Sequence, residues 1–403
     1  MERVRIGLPR TLEIITLTEK VSTNLVIVKQ SLFETLKAGR TNQETSPQAL
    51  NCSKLLTMRA LILAGGKGTG LRPLTVYTPK PMVPIANRPF LLYQLEILAK
   101  AGIDDITLSL SYQPNKIEDL VGDGSDLGVT LSFVTEPSPM GTAGAYRYAA
   151  GGSKESMVVL NGDILTDVDI SAIIGQHTSS GAEATITLAR VPDPSKYGLV
   201  ETDDDGRVQR FIEKPSKEEA KSLGVDTINA GIYVLEPSVL DLIEEGSNSS
   251  FEYVVFPTML ESVRNVRSYV IEGGYWRDIG TPESYLEAHH DLLAGRIAYF
   301  SIDQRLGPDV SPTARIDDIS VIGPECTIKP NAVITNSVLG PGVHVEEKAV
   351  INGSVIWAHT RVSTFAELND SVIGRGSHIG RNVVTRPGTV IGDKGNLPDY
   401  SKA

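Results

Sequence analysis

A short periodic pattern in the last quarter of the chain constrains the fold more than any other feature. From about residue 306 an aliphatic residue recurs at every sixth position, at Val310, Ile316, Ile322, Ile328 and Ile334. A hexapeptide rhythm is typical of a three-sided parallel β-helix, in which each short strand points one aliphatic side chain inward. We therefore predict a left-handed parallel β-helix over residues 306–392 and a tail over residues 393–403.

A longer repeat is superposed on this rhythm. The dipeptide Ser-Val recurs at every seventeenth position, beginning at Ser320, Ser337, Ser354 and Ser371. Each dipeptide is followed by an aliphatic residue, at Ile322, Leu339, Ile356 and Ile373. A β-sandwich with strands of similar length would not keep a fixed period, so the repeat predicts that each coil has the length of this interval.

Residues 58–295 carry a different pattern, in which short apolar runs alternate with helical patterns. Examples are Leu61 to Ala64, Phe90 to Ala99, Ile106 to Leu110, Val158 to Leu160 and Ile186 to Val191. Alternation of this kind predicts βαβ units and an α/β domain with a Rossmann-like, mixed or mostly parallel sheet. Ligands of such sheets bind beyond the carboxyl ends of the strands.

The N-terminal segment differs in composition from the rest, and a second methionine, Met58, precedes the first predicted strand. We treat residues 1–57 as an N-terminal extension of unknown role, compatible with an amphipathic helix around Leu25 to Leu36 or with a poorly ordered tail. It lacks the apolar core and cleavage site of a signal peptide. No apolar run in the chain approaches the roughly 20 residues that span a bilayer.

Charge and cysteine content exclude several classes of function. The net charge of −11, from 38 basic and 49 acidic residues, offers no electrostatic attraction for nucleic acid or an anionic membrane. The two cysteines, Cys52 and Cys326, are far apart, which suggests neither a disulfide framework nor a zinc site. A cytoplasmic location fits this composition.

The strongest local motif is the glycine-rich run from Leu63 to Thr75, followed by Thr78 to Ile85. A glycine-rich turn after a first strand lets main-chain N–H groups approach phosphate oxygens. The run is not a Walker loop, because Leu71-Arg72 stands where Lys-Ser/Thr is needed. It is not a dinucleotide fingerprint either, because no glycine lies three places after Gly68. Spacing alone leaves a purely structural glycine turn open.

This run, with Pro79-Lys80-Pro81, is similar to the signature of the sugar-nucleotide pyrophosphorylases. That family includes mannose-1-phosphate guanylyltransferases and glucose-1-phosphate thymidylyl-, uridylyl- and adenylyltransferases. Further motifs resemble the family in the same order: Pro139 to Gly144, Leu160 to Asp163, Tyr197-Gly198, Glu213 to Pro215, Asn229 to Gly231 and Trp276 to Pro282. Together with the β-helix, the resemblance covers most of the chain.

The resemblance implies in-line attack of a sugar 1-phosphate on the α-phosphorus of a nucleoside triphosphate, with release of pyrophosphate and no protein nucleophile. It implies Lys80, Asp163 and Asp278 as catalytic residues, the two aspartates holding Mg²⁺. The implied nucleotide-binding residues are Ala64, Gly65, Gly66, Gly68, Thr69, Gly141, Thr142, Ala143 and Gly162. The implied sugar-phosphate-binding residues are Gly198, Glu213, Lys214, Asn229 and Gly231.

One position departs from the family pattern. Gly70 stands where the family has a phosphate-clamping arginine, and loss of such a cation commonly costs about a hundredfold in rate. Arg72, two residues on, is a candidate partial substitute. We therefore keep open a second hypothesis, a regulatory subunit that binds sugar nucleotide with little turnover.

Within the family, Asp193 to Gly198 and Arg210 to Pro215 look most like mannose-1-phosphate guanylyltransferases. The most favoured reaction is therefore GTP plus mannose 1-phosphate to GDP-mannose, and thymidylyl or uridylyl transfer to glucose 1-phosphate stays open. A third hypothesis makes the β-helix an acyltransferase, with His344, His359 and His378 on it. We favour instead a role for the β-helix in homo-oligomer assembly.

Overall fold

The computed structural model describes residues 58–297 and 309–403. The N-terminal extension, with its predicted helix around Leu25 to Leu36, lies outside these residues. We refer to residues 58–297 as the nucleotide-loop region and to residues 309–403 as the β-helix.

The nucleotide-loop region contains helices and strands in alternation, as the apolar runs predicted. Its strands are β1 Arg59–Leu63, β2 Pro84–Ile85, β3 Arg88–Pro89, β4 Asp105–Leu110, β5 Thr130–Thr135, β6 Met157–Asn161, β7 Ile164–Thr166, β8 Ala184–Arg190, β9 Gly198–Thr202, β10 Val208–Glu213, β11 Thr227–Leu235, β12 Val266–Val270 and β13 Trp276–Asp278. Its α-helices are α1 Phe90–Lys100, α2 Pro114–Val121, α3 Gly141–Ala150, α4 Ile170–Ser180, α5 Lys217–Leu223, α6 Phe256–Glu261 and α7 Pro282–Leu293.

The main sheet is mixed rather than mostly parallel. Its order is β10-β9-β11-β6-β1-β4-β5, and β8 joins β11 to β12. The half built from β6, β1, β4 and β5 is parallel, whereas β11 runs antiparallel to β6, β8 and β9. The apolar runs indicated strands, but they carry no information on the direction of the neighbouring strand.

Strand β1 shows why these residues form the core of the sheet. Ala60, Leu61 and Ile62 are fully buried. Because successive side chains of a strand point to opposite faces, Leu61 packs in one apolar cluster, and Ala60 and Ile62 pack in the other. Because β6, β1 and β4 are parallel, the polar groups that follow these strands meet at one edge of the sheet.

The β-helix consists of three parallel sheets, as the hexapeptide rhythm predicted. The first contains β14 Asp309–Val310, β17 Thr327–Ile328, β20 His344–Val345, β23 Arg361–Val362, β26 His378–Ile379 and β28 Asn396–Leu397. The second contains β15 Arg315–Ile316, β18 Val333–Thr335, β21 Val350–Asn352 and β24 Glu367–Asn369. The third contains β16 Val321–Ile322, β19 Val338–Leu339, β22 Val355–Ile356, β25 Val372–Ile373 and β27 Val390–Ile391.

The paired strands also show where the period changes. Ile322 pairs with Leu339 and so keeps the interval of the Ser-Val dipeptides. Val310 pairs with Ile328 and Ile373 pairs with Ile391, in both cases one position further along the chain. The interval of the dipeptides therefore holds for the central coils and lengthens by a single position at both ends. The residues expected to form a tail include β28, which pairs with β26, so the coiling continues beyond residue 392.

The serine of each Ser-Val dipeptide connects consecutive coils. The hydroxyl oxygen of Ser320 accepts a hydrogen bond from the backbone N–H of Ser337, at 3.1 Å. Ser337 and Ser354 repeat this contact with the next serine along the stack, at 3.0 and 3.1 Å. All four serines are buried, so the repeat satisfies polar groups that would otherwise be unpaired.

The valines of the same dipeptides point away from the β-helix interior. Val321, Val338, Val355 and Val372 belong to the apolar cluster of the nucleotide-loop region, whereas the aliphatic residues that follow them fill the interior of the coils. Polar contacts reinforce this interface: the Trp357 indole N–H donates to the hydroxyl of Tyr285 at 3.0 Å, and that hydroxyl donates to the Pro84 carbonyl. The β-helix thus packs against α7 and the segment that follows the glycine-rich loop.

Candidate active site

A cleft of about 770 Å³ opens at the carboxyl ends of the parallel strands. The residues that line it and were singled out from the sequence are Ala64, Gly65, Gly66, Gly68, Thr69, Lys80, Gly141, Thr142, Gly162, Asp163 and Asp278. They come from segments near both ends of the nucleotide-loop region and from its middle. The structure therefore brings together all three predicted catalytic residues and most of the predicted nucleotide-binding residues.

The glycine-rich loop leaves β1 in a conformation that several of its glycines permit. Gly68 has a φ of 61°, in the left-handed region, and its carbonyl accepts the Thr75 hydroxyl at 2.6 Å. A Cβ atom at Gly162 would lie 2.6 Å from the Leu63 carbonyl oxygen. At Gly66, by contrast, nothing lies within 4 Å of such an atom, so its main chain is open to the cleft.

The second wall of the cleft is the start of α3. A Cβ atom at Gly141 would lie 2.4 Å from the Ser249 carbonyl oxygen, and Gly141 has a φ of 70°. The Thr142 hydroxyl has its hydrogen-bond partners within the protein. It donates to the Glu252 carboxylate at 2.8 Å and accepts the Phe251 N–H at 2.9 Å. Ala143 is fully buried and does not line the cleft. The main chain at the start of α3, rather than these side chains, therefore faces the cleft.

The catalytic candidates form one electrostatic group. The Lys80 ammonium lies 2.9 Å from the Asp163 carboxylate. Pairing of β13 with β7 places Asp278 opposite Ile164, and the Ile279 N–H donates to the Asp163 carbonyl at 2.8 Å. Two distant segments thus deliver two carboxylates to one place.

The surroundings of Asp278 disfavour the ionised form of its carboxyl group. Burial, reinforced by the charge of Asp163, raises its pKa to about 6, although Lys80 and Lys214 act in the opposite direction. Its Oδ1 atom is buried and has no hydrogen-bond partner among the described residues. A buried, unpaired carboxylate oxygen is costly unless a cation or a donor from a ligand completes it.

The predicted sugar-phosphate residues do not line the cleft itself but cluster on β9, β10 and β11. Gly198 and Glu213 are paired neighbours, and burial raises the pKa of Glu213. The Lys214 ammonium lies 3.5 Å from the Glu213 carboxylate. Lys214 has a φ of 48°, in the left-handed region that lysine adopts rarely.

Asn229 and Gly231 lie at an irregularity in β11, where its register with β8 shifts. The Gly231 N–H donates to the Asn229 side chain at 3.0 Å, and the Asn229 amide donates to the Tyr233 hydroxyl at 2.8 Å. A Cβ atom at Gly231 would lie 2.8 Å from the side chain of Asn161, which lines the cleft. This group is therefore next to the cleft wall that carries Asp163.

Sequence reasoning missed four polar residues of the cleft: Lys67, Ser111, Glu136 and Asn161. Ser111 directly follows β4, Glu136 directly follows β5, and Asn161 ends β6. The rule that ligands bind beyond the carboxyl ends of parallel strands, applied to every strand, would have pointed to these three. Lys67 lies inside the glycine-rich motif itself.

Gly70 lines the cleft but leaves no space for a side chain. A Cβ atom there would lie 2.3 Å from the Gly280 carbonyl oxygen. Arg72, the candidate substitute for the family arginine, is exposed and does not line the cleft. The cationic side chains that line the cleft among the described residues are Lys67 and Lys80.

The sequence of the nucleotide-loop region matches that of the nucleotidyl transferases. The nucleotidyl transferase family profile matches residues 59–295, more than half of the chain, and the chain belongs to this family. Residues 305–401 match the profile of the LbH domain of the EIF2B epsilon subunit. The resemblance inferred from the glycine-rich loop is thereby confirmed, as are the mixed α/β sheet and the left-handed β-helix.

Individual relatives show which members of the family the chain is similar to. The chain is 42% identical over 238 residues to the mannose-1-phosphate guanylyltransferase of Mycobacterium tuberculosis, covering 59% of this chain and 65% of that protein. It is 40% identical over 275 residues to the mannose-1-phosphate guanylyltransferase catalytic subunit beta of Drosophila pseudoobscura pseudoobscura, covering 67% and 72%. The match thus spans just under two thirds of the mycobacterial relative.

A solved structure supports the fold. A Bacillus anthracis protein described as a putative glucose-1-phosphate thymidylyltransferase, in complex with sucrose, superposes with a TM-score of 0.53. It is 24% identical to this chain and covers 61% of this chain and 98% of its own. At that identity the likeness concerns the fold alone.

Two features are absent from the residues that the structure describes. No helix there is both long and apolar enough to cross a membrane. No group of three or more His, Cys, Asp or Glu side chains is arranged there to hold a metal ion. A metal ion at Asp163 and Asp278 would therefore need further ligands other than the His, Cys, Asp and Glu side chains of the described residues.

Proposed function

We propose that this protein transfers GMP from GTP to mannose 1-phosphate, releasing pyrophosphate and forming GDP-mannose. The observation that carries the proposal is the group formed by Lys80, Asp163 and Asp278 at the end of a glycine-rich cleft. The proteins to which the chain is similar at 40 and 42% identity are named as mannose-1-phosphate guanylyltransferases, which supports this pair of substrates.

The proposed roles rest on the geometry of the cleft and on the family resemblance. The open main chain at Gly66 and the start of α3 suit close approach of the nucleotide. Lys80 would neutralise phosphate charge, and Lys214, Glu213 and Asn229 would bind the sugar phosphate. The protein's task is to hold the attacking phosphate oxygen in line with the leaving pyrophosphate and to offset the negative charge.

Asp163 and Asp278 fit a divalent cation. The buried, unpaired Oδ1 atom of Asp278 and the neighbouring carboxylate of Asp163 form a pair of hard oxygen donors of the kind Mg²⁺ prefers. Substrate phosphates would supply the remaining ligands, in keeping with the lack of a third protein carboxylate there among the described residues. When bound, Mg²⁺ would neutralise charge on the phosphates.

Gly70 supports a second candidate, a regulatory subunit that binds sugar nucleotide without appreciable turnover. The tight packing of Gly70 against the Gly280 carbonyl leaves no space for a cationic side chain at this position. This candidate predicts nucleotide binding with negligible release of pyrophosphate.

One experiment separates these candidates. Purified protein with Mg²⁺ is incubated with GTP, dTTP, UTP or ATP against mannose, glucose or N-acetylglucosamine 1-phosphate, and pyrophosphate release is measured. Turnover that peaks with GTP and mannose 1-phosphate is expected. Preference for dTTP or UTP with glucose 1-phosphate would reassign the substrates, and binding without turnover in any combination would favour the regulatory subunit.

The Gly70→Arg variant accompanies this experiment. Because a Cβ atom at residue 70 meets a main-chain oxygen at 2.3 Å, the loop must move to accept arginine. If the natural protein is the proposed enzyme, the variant is expected to be slower. A variant that gains turnover over a silent natural protein would instead support the regulatory subunit.

Location and assembly are also proposals. We infer a cytoplasmic protein that assembles as a homo-oligomer through its β-helix. Cys326 is a free, buried thiol, which agrees with a reducing compartment. Size-exclusion chromatography with light scattering would test the assembly.

A further inference from the structure

Strand β13, which carries Asp278, lies outside the main sheet. It spans Trp276–Asp278 and pairs with β7 in a two-stranded antiparallel sheet. A two-stranded pair by itself is marginally stable in water, so contacts of its side chains must help to hold it. The placement of Asp278 therefore depends on what the side chains of this segment contact.

The side chains of the segment alternate between two sides. Because successive residues of a strand point to opposite faces, Trp276 and Asp278 share one side. The Trp276 indole N–H donates to the Ala230 carbonyl at 2.8 Å, and Asp278 lines the cleft. The neighbouring Tyr275 and Arg277 share the other side, where both contact helix α7.

Tyr275 and Arg277 meet at one carboxylate of α7, that of Asp291. Its Oδ2 atom accepts hydrogen bonds from Arg277 Nη2 at 2.7 Å and Nε at 3.1 Å, and from the Tyr275 hydroxyl at 2.9 Å. Arg277 also contacts the more exposed carboxylate of Glu287 on the same helix. The Asp291 side chain is 6% exposed, so water competes little with these charge-assisted contacts. Asp291 thus fixes two residues of the strand segment at a single point.

Asp291 is itself held on a supported helix. Helix α7 packs against the β-helix, and its residue His290 donates from Nε2 to the Gly353 carbonyl at 2.9 Å. The second Asp291 oxygen, Oδ1, accepts a hydrogen bond from Arg296, which follows the helix, at 2.5 Å. The two oxygens therefore have separate partners, one set on the strand segment and the other beyond the end of α7.

Electrostatic repulsion acts against the place that Asp278 takes in the cleft. Asp163 and Asp278 carry like charges, which repel each other while no cation lies between them, although Lys80 offsets part of this repulsion. The Asp278 Oδ1 atom has no hydrogen-bond partner among the described residues that would hold it there. A strand without an anchor on its far side could relieve the repulsion by moving outward, whereas an anchored strand cannot.

We propose that Asp291 is a positioning residue of the transfer reaction. Through Arg277 and Tyr275 it anchors the far side of β13, so that the near side presents Asp278 to the cleft before substrates bind. Groups fixed in advance in this way stabilise a transition state without having to reorganise. The inference rests on the proposed function and names residues that act through Asp278.

The test is a double-mutant cycle on pyrophosphate release per folded molecule. Asp291→Asn and Arg277→Met weaken the same contact from its two ends, and each is expected to lower kcat about tenfold to a hundredfold, the cost of a small misplacement at a reacting centre. Added to Asp278→Asn, either change should cost less than about twofold more, because nothing is left to position. Losses that multiply would show that Asp291 acts independently of Asp278, and the inference would be wrong.

Arg296→Gln is the matched control. Arg296 binds the same Asp291 carboxylate, but through Oδ1 and from beyond α7, and its side chain is 68% exposed. Its loss should change kcat by less than about twofold. A fall as large as that of Arg277→Met would mean that Asp291 merely stabilises α7, which would overturn the inference. Should Asp291→Asn not fold, Arg277→Met completes the cycle with Asp278→Asn.

Hydrogen exchange separates this inference from the proposed function. The Ile279 N–H, which donates to the Asp163 carbonyl, reports whether the end of β13 stays in place. Mass spectrometry of peptides that contain Ile279 should show exchange about tenfold faster in Asp291→Asn and Arg277→Met, and unchanged in Arg296→Gln. Faster exchange in a protein without turnover would keep the anchor and overturn the transfer reaction. GMP transfer with unchanged exchange in Asp291→Asn and Arg277→Met would do the reverse.

Discussion

The nucleotide-loop region and the β-helix differ in how far their buried polar groups find hydrogen-bond partners. In the β-helix, stacked serines such as Ser337 and Ser354 pair with backbone N–H groups of the next coil. Among the described residues, buried side-chain polar atoms without a hydrogen-bond partner occur only in the nucleotide-loop region, and two of them, on Asn161 and Asp278, belong to the cleft. A region that repeats can satisfy itself coil by coil, whereas a site must leave groups free for its ligand.

The largest effect expected from this contrast concerns Asp278. Asp278→Asn should lower turnover by about a hundredfold to a thousandfold, because it removes a charge that would hold the metal and phosphates. At pH 8, above the raised pKa of about 6, the same change removes an unfavourable buried charge, so the thermal midpoint should stay equal or rise. Pyrophosphate release and a thermal scan measure the two quantities.

Asp126→Asn is the control for this prediction, because Asp126 is exposed and remote from the cleft. It should change neither turnover nor the thermal midpoint. A fall of several degrees in Asp278→Asn, together with lost turnover, would show that Asp278 stabilises the fold and would remove the contrast between the regions.

The β-helix should respond in the opposite way. Ile351 is fully buried inside the coils, and Ile351→Ala should lower the free energy of unfolding by about 2–5 kcal/mol through lost packing and a cavity. Ile351→Val, which removes one methylene, should cost about 0.5–1.5 kcal/mol. Circular dichroism in denaturant measures both. Turnover per folded molecule should be unchanged, and a large drop would mean that the β-helix interior acts on the site.

A smaller effect is expected in α7, the helix against which the β-helix packs. His289 is fully buried in α7; its Nε2 atom accepts the Ala86 N–H at 3.2 Å, and its Nδ1 atom donates to the Tyr285 carbonyl at 2.9 Å. These partners define the neutral ring. Burial accordingly lowers the pKa of His289 to about 4.

The pH dependence follows from this lowered pKa. The unfolded histidine, with a pKa near 6.5, binds a proton more readily than the folded one, so its contribution to stability is present above pH 6.5 and is lost as the pH falls towards 4. Between pH 7 and pH 5 the loss should be about 2 kcal/mol. His289→Gln should show a correspondingly shallower decline in denaturant unfolding, and an identical decline would contradict the lowered pKa.

Much of the fold could be predicted because its signals are local. The hexapeptide rhythm identified the β-helix, and the alternation of apolar runs identified β1, α1, β4, β6 and β8. The same signals missed the antiparallel direction of β11 and the extra residue in the terminal coils. The direction of β11 does not change the periodicity of the strand, so no local pattern records it. The longer first coil does stand in the sequence, because Val310 and Ile328 are three hexapeptides apart, but the Ser-Val interval was taken for every coil.

The candidate site, like the fold, could be predicted only in part from the sequence. Motifs that resemble a family pointed to Lys80, Asp163 and Asp278, and the structure brings these three together. Glu136 was not predicted, because a glutamate after a strand has no distinctive spacing. Only the structure shows that it lines the cleft, next to Gly65. Ala143 was expected to contact nucleotide, but it faces the protein interior, because neighbouring residues at the start of α3 point in different directions.

The Ser-Val dipeptides carry one feature that follows from local sequence and another that depends on tertiary packing. Their constant spacing is a property of the chain, and it determined the coil, its serine ladder and its inward aliphatic residues. That the valines would join the apolar cluster of the nucleotide-loop region, and that Trp357 would reach Tyr285, depended on the surface presented by a segment far away in sequence. Periodicity is encoded by neighbours along the chain, whereas the docking of one face on another is decided by shape and polar complementarity that exist only after both regions have folded.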